Sequence, residues 1–345
     1  MTTAAHPDLV WIRRSRALIG RGPSQSFDPG TGPLRYERAL VALRESGRRI
    51  AMASFTFDPE EPDSVIEMPE DLVETAAEEL PALDFAPIRG RVVSDGAEAW
   101  RSGVHAAQDS IEANLVEKVV MSRQVDIEFD SEVPIDGVID RLQRTEPDCY
   151  TFHVKGLVGA SPELLVSLQD GQISSVALAG TAPDTESLVS DKMNREHALS
   201  SLSVEEGIKA HTTSLDVQEP TVLRFGEINH LATRFAGPAL SGTTVMDVLG
   251  SLHPTAAVSG QPPDTSMKVI RDVEPRSRGR YAGPVGWFNV DGEGEFAIAL
   301  RCGLIGNRKA TLYAGGGIVL GSDVDSEFAE TELKLRPMLQ ALGVC

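Results

Sequence analysis

At 345 residues, 41% hydrophobic and 24% charged, the chain has a globular composition and length enough for one large α/β domain or two smaller ones. Its 51 acidic residues against 32 basic ones give a formal charge of -19, which repels phosphate backbones and anionic membrane surfaces and argues against nucleic-acid or membrane partners. Three scattered cysteines (Cys149, Cys302, Cys345) without a CxxC argue against a disulfide framework or a zinc site. The opening MTTAAHPDLVWIRRSRALIG lacks the layout of a signal peptide, and no apolar run reaches the ~20 residues that span a bilayer. A cytoplasmic protein is expected.

In chain order, the pattern predicts a strand over Leu9–Ile19, a helix over Leu34–Glu45 and a strand over Arg49–Phe57. A Pro- and acid-rich stretch from Asp58 to Pro87 reads as surface loop with short elements. Val104, Ala107, Ile111 and Leu115 recur at helical spacing within Ala97–Glu117, and KVVMSRQVDIEF alternates like a strand. A helix over Pro134–Arg144 follows, with proline in its first turn, and then strands YTFHVKG, ELLVSLQ and QISSVALAG, the last two joined through Asp170-Gly171. A long polar helix over Glu186–Ala210 precedes strand character over Thr221–Phe235 and short helices near Thr243–Leu249 and Ser266–Arg271. The final block predicts strands Pro284–Val290, Glu295–Ile305 and Ala310–Val319 and a helix from Asp323 to Leu342. Hairpins with helices outside them predict an α+β (mixed α/β) fold with a large antiparallel sheet. Residues 1–95 read as an N-terminal portion of the same fold, and 96–345 as the catalytic domain. No GxGxxG follows a strand and no GxxxxGK[ST] occurs, so dinucleotide and P-loop functions have no support.

Chemistry concentrates between Gly294 and Leu335. Glu327, Glu330 and Lys334 share a helix face, which reads either as a solvated i,i+4 pair or as carboxylate ligands for Mg²⁺ beside a lysine that grips a substrate carboxylate. The preceding AGGGIV lets backbone N–H groups approach an anion and favours the second reading. Arg301 stands mid-strand among apolar residues, where an unpaired guanidinium would be costly, and is expected to anchor a carboxylate. Glu196, in DKMNREHALS, is a second candidate metal ligand if the fold brings it near Glu330. Lys118, at a strand start, serves as a general base if it faces a closed pocket. Glu163, after a Gly-Ala-Ser-Pro turn, serves as an acid if its pocket keeps it protonated. Gly180-Thr181-Ala182 reads as a small-residue turn able to present N–H and hydroxyl groups to a ligand, and His253-Pro254-Thr255-Ala256-Ala257 as a second small-residue segment that a substrate ring could approach. His230 reads as a satisfied core histidine.

Together EKVVMSR, GASPELL, LAGTA, DKxxxEH, HLAT, LHPTAAVSGQP, RYAGPVGW, GEFAIALRC, AGGGIV and ExxExxxK resemble the chorismate-utilising enzymes, in matching order from about Ala97 to the C-terminus. Within that superfamily the resemblance is to the isochorismate synthases. It implies an anthranilate-synthase-component-I-like fold of two subdomains and a Mg²⁺-dependent isomerase acting on chorismate, for menaquinone or catecholate siderophore biosynthesis. It implies Lys118 as the base that activates water for attack at ring C2, and Glu163 as the acid for the departing C4 hydroxyl. Glu196 and Glu330 would hold Mg²⁺ with Glu327 in support. Gly180, Thr181, Glu196, Ala257, Arg301, Gly315 and Lys334 would contact the substrate. Salicylate synthase, which goes on to eliminate pyruvate, is the alternative; the small Ala257 favours stopping at isochorismate. Ala179 stands where aminodeoxychorismate synthases carry a lysine, and the lysine at position 118 sets the chain apart from anthranilate synthases. No glutaminase subunit is expected, and a monomer is.

Overall fold

Short β-branched runs separated by tight turns pair with one another, and among the described residues every strand pairing is antiparallel. The computed structural model describes residues 8–80, 88–182, 186, 188, 190–226 and 228–344. The strands are β1 (Leu9–Arg13), β2 (Arg16–Phe27), β3 (Ile50–Ser54), β4 (Val65–Ala76), β5 (Gly90–Ser94), β6 (Lys118–Phe129), β7 (Tyr150–Val154), β8 (Leu157–Ser161) and β9 (Leu164–Gln169). They continue as β10 (Gln172–Ala182), β11 (Asp216–Val217), β12 (Thr221–Phe225), β13 (Ile228–Pro238), β14 (Gly260–Gln261), β15 (Pro284–Asn289), β16 (Gly294–Ile298), β17 (Cys302–Ile305) and β18 (Lys309–Val319). The helices are α1 (Arg35–Glu45), α2 (Ala97–Glu112), α3 (Ile135–Thr145), α4 (Asp191–Lys209), α5 (Val245–Leu252), α6 (Pro263–Val273) and α7 (Val324–Leu342).

Hydrogen bonds run without a break along β5-β6-β18-β17-β8-β7-β1-β2-β4-β3-β15-β16-β9-β10-β13, with β11 and β12 on β13 and β14 on the start of β6. Helices cover the ribbon from outside: α2 on β6, α7 on β18 and α3, α4 on β10 and α5, and α1 on α5. Two buried apolar clusters result, one around Phe55, Phe288 and Phe296 and one around Val125, Leu142, Leu312 and Met338. This is the expected α+β arrangement, a large antiparallel sheet with outer helices. Among the described residues no helix is long and apolar enough to cross a membrane.

Several predicted boundaries shift for local reasons. The strand expected over Leu9–Ile19 is the hairpin β1–β2, turned at Arg14 with φ 52. The acid-rich loop contains the long strand β4, whose polar half is the solvent side of its pairing with β2. The strand expected over Glu295–Ile305 is two strands with Arg301 in the break between them, at φ 46. That left-handed conformation is costly for a side-chain-bearing residue and occurs disproportionately at functional sites.

Two helix starts set the geometry of the central cleft. The Ser190 hydroxyl accepts from the Met193 N–H at 3.4 Å, and the Asp323 carboxylate accepts from the Ser326 N–H at 2.9 Å. These caps fix where α4 and α7 begin, and so the rotational phase at which their carboxylates emerge.

Candidate active site

The triple glycine of β18 is where the elements converge. Successive strand residues face opposite sides, so Gly315 and Gly317 face one way and Gly316 the other. A Cβ on Gly317 would lie 2.2 Å from Glu196 Oε1 and 3.0 Å from Lys118 Cε; one on Gly315 would lie 2.9 Å from the Tyr281 hydroxyl. On the other side, a Cβ on Gly316 would meet Glu327 Oε2 at 3.5 Å, which is ordinary contact. Glycine at 317 therefore makes room for Glu196 of α4 and Lys118 of β6 to meet against the strand. Gly317→Ala is expected to cost about 1–3 kcal/mol by overpacking, while Gly316→Ala, whose Cβ meets only ordinary contact, costs little. Thermal unfolding of the two variants checks this; equal effects would remove the steric argument.

Lys118 begins β6 between β14 and β18, opposite Gln261 and Val319, and is fully buried. Its Nζ donates to Ser200 Oγ at 2.9 Å and lies 3.3 Å from Glu196 Oε1. The Ser200 hydroxyl in turn donates to the Glu196 carbonyl one turn back on α4, which leaves its oxygen free to accept from the lysine. Across the glycine strand, Lys334 of α7 donates to the Gly315 carbonyl at 2.8 Å and pairs with Glu330 at 2.6 Å. The i,i+4 pair with Glu330 expected from the sequence is present, and Lys334 also lines the central cleft.

Glu163 stands between β8 and β9, buried, and accepts the Leu178 N–H at 3.4 Å. Burial pushes its carboxyl up to about 8, against the smaller opposing pull of that hydrogen bond and of Lys118 and Lys334. It is a protonated acid at neutral pH. Arg301 donates to Glu146 Oε2 at 3.3 Å and to His230 Nε2 at 3.1 Å. Burial, reinforced by Arg301, holds His230 well below the ordinary histidine range, so the ring is neutral and can accept.

The cleft these groups share spans about 740 Å³ counted out to its solvent mouth. Glu163, Glu196, Ala257, Arg301, Gly315 and Lys334 line it, so six of the predicted site residues come together. Lys118 lies beneath Gly317 and Glu196 rather than in the lining, and Gly180 sits one residue beyond the lining Ala179. The Thr181 side chain lies outside the described residues. Glu327 is buried. His230 is the buried histidine expected, yet it also lines the cleft. Sequence reasoning did not single out the stacked pair Tyr281–Tyr313, with ring centroids 5.0 Å apart, nor Ser200 or Glu146. Ser200 alone had a signal, lying one helical turn from Glu196.

Glu196 and Glu330 are the partly exposed carboxylates here, 14% and 17%, and among the described residues no three His, Cys, Asp or Glu cluster closely enough to hold a metal ion unaided. Such a donor set fits Mg²⁺, which takes one or two protein carboxylates and completes its shell with ligand oxygens and water. It does not suit a closed structural site.

A family model described as "Chorismate binding enzyme" matches residues 40–343. The chain belongs to the chorismate-binding enzyme family. Among relatives of this family member, the isochorismate synthase MenF of Bacillus subtilis (strain 168) is 34% identical over 71% of the chain. The matched region is 55% of that relative, so the chain spans little more than half its length. A solved structure of MenF, the menaquinone-specific isochorismate synthase from Escherichia coli, superposes with a TM-score of 0.81 at 26% identity, covering 99% of this chain and 90% of that one. Anthranilate synthase component I from Streptococcus pneumoniae TIGR4 superposes at TM-score 0.78 and 22% identity, over 95% and 92% of the two chains, and shares the fold.

Proposed function

We propose that this family member is an isochorismate synthase, converting chorismate to isochorismate for menaquinone or catecholate siderophore biosynthesis. The observation that carries the reading is a buried, protonated Glu163 in a cleft walled by Arg301 and Lys334, with the buried Lys118 amine just behind the lining, 3.3 Å from Glu196. Exchanging a ring hydroxyl for water needs one group that takes a proton and one that gives a proton. Water adds to C2 and passes a proton to the Lys118 amine. The ring double bonds shift, the C4–O bond breaks, and the Glu163 carboxyl protonates the departing hydroxyl. The two residues finish with their protonation states exchanged and are reset through solvent. Arg301 and Lys334 offset the substrate's two negative charges, which a protein of charge -19 would otherwise repel. Glu196 and Glu330 would hold Mg²⁺ with Glu327 behind them, and the bound cation would supply further neutralisation of the ring carboxylate.

Incubating the purified protein with chorismate, with and without Mg²⁺, and resolving the products by chromatography and NMR tests this. A Mg²⁺-dependent mixture of chorismate and isochorismate is expected, and Glu330→Gln should raise the Mg²⁺ concentration required. Salicylate with pyruvate would replace the reading by the salicylate synthase alternative. A metal requirement unchanged in Glu330→Gln would remove the metal assignment.

A further inference from the structure

Arg301 is the wall between two cavities. One is the substrate cleft; the other, about 560 Å³ counted to its mouth, is bounded by Glu146, Phe225, Gly226, Arg336 and Gln340. The guanidinium between them is 5% exposed and sits on a backbone at φ 46, so its direction is not set by regular strand geometry. Three groups hold it instead. Glu146 takes one terminal nitrogen, the neutral His230 takes the other, and the Phe225 ring lies 5.9 Å from the guanidinium carbon.

Glu146 is itself fixed. It caps the C-terminus of α3, its N–H bonded to the Leu142 carbonyl at 2.8 Å. Gly226, at φ 58, approaches so closely that a Cβ there would lie 3.0 Å from Glu146 Oε1. The Cys149 thiol also points at Oε2, at 3.7 Å. A carboxylate held at Oε2 by both Arg301 and Cys149, with little spare room at Oε1 beside Gly226, on the far side of an arginine from the substrate cleft, is placed to aim that arginine. An arginine has five N–H donors, and these contacts leave some of them for a ligand anion.

We propose that Glu146 is a positioning residue that holds the Arg301 guanidinium at the angle needed to grip a carboxylate of the substrate. This rests on the proposed chorismate activity. A purely structural ion pair would also be buried and would also lower stability when broken. The two roles separate in the kinetics. An arginine released from Glu146 but still present weakens binding of the anion without touching the proton transfers at Lys118 and Glu163.

The test is steady-state turnover of chorismate by the full chain as Glu146→Gln, Glu146→Ala, Arg301→Lys and the Glu146→Gln/Arg301→Lys double variant, with thermal unfolding of each. Misplacement of a substrate-gripping group by about 1 Å costs up to about a hundredfold, so Glu146→Gln is expected to raise KM by about tenfold to a hundredfold. Its kcat should stay within about threefold. The double variant should be no worse than Arg301→Lys alone, because the carboxylate acts through that arginine. Should Glu146→Ala fail to fold, the near-isosteric Glu146→Gln still decides. A folded Glu146→Gln protein with unchanged KM overturns the proposal, as do losses that multiply fully in the double variant. An unmodified protein that leaves chorismate untouched overturns both this proposal and the activity; an active one with an indifferent Glu146→Gln variant overturns only this proposal.

Discussion

Lys118→Ala is expected to lower kcat by about 10²–10⁴-fold, the contribution of a positioned general base, while chorismate binding stays measurable by calorimetry. The binding half follows from position. Lys118 lies under Gly317 and beside Glu196 rather than in the cleft lining, whereas the cations that do line the cleft, Arg278, Arg301 and Lys334, are untouched by the change. The catalytic half follows from how the amine is held. Its N–H donates to Ser200, whose own proton is committed to the Glu196 carbonyl, so the lysine is oriented rather than free to rotate. Removing it also leaves Glu196 without its close partner and opens a hole in a fully buried position, so some stability is lost. Lys118→Met separates the two effects, since it fills most of the space and cannot accept a proton from water. A folded Lys118→Met protein that keeps more than about a tenth of the rate would remove Lys118 as the base.

The sequence and the structure agree best where local pattern dictates the outcome. The C-terminal half of KVVMSRQVDIEF alternates as β6 does, with Val125, Ile127 and Phe129 buried between half-buried polar residues, while Lys118 to Met121 are buried in succession. The carboxylates and lysine of α7 fall at spacings that put them on one face wherever a helix forms there. Position 301 shows the limit: flanking apolar residues read as one continuous strand, and only the tertiary contacts with Glu146 and His230 repay the left-handed kink that breaks it. Glu146 itself, in RTEPD at a helix end, looks like any solvated glutamate; its burial is decided by Arg301, 155 residues away. β4 was hidden because an exposed strand half carries loop-like polar residues, and its pairing with β2 cannot be seen from either segment alone. The glycines of β18 were legible as a place of close approach, but what approaches, Glu196 on one side and Glu327 on the other, is a property of the assembled ribbon.

Glu163→Gln isolates the acid half of the reaction. The amide has the size of the protonated carboxyl, can still accept the Leu178 N–H, and is neutral, as Glu163 is below about pH 8. Substrate binding should therefore barely change, while kcat falls by about 10²–10⁴-fold because an amide cannot deliver a proton to the C4 hydroxyl. The same burial sets the pH dependence. As pH rises through about 8 the carboxyl ionises and turnover by the unmodified protein should decline. Stability follows with a defined sign. Between the ordinary value of 4.5 and about 8 the folded protein keeps a proton that the unfolded chain has lost, so this group's contribution is full at low pH and is lost as pH climbs through that window. Glu163→Gln removes the titration, and its unfolding free energy should decline less than that of the unmodified protein between those limits. Denaturant melts at several pH values measure the stability part, and kcat/KM profiles the catalytic part. If Glu163→Gln turned over chorismate at near the unmodified rate, the proton for the leaving hydroxyl would have to come from elsewhere in the cleft. With His230 held neutral by burial and Arg301 unable to give up a proton, Lys334, the Tyr281 and Tyr313 hydroxyls or solvent would be the remaining sources.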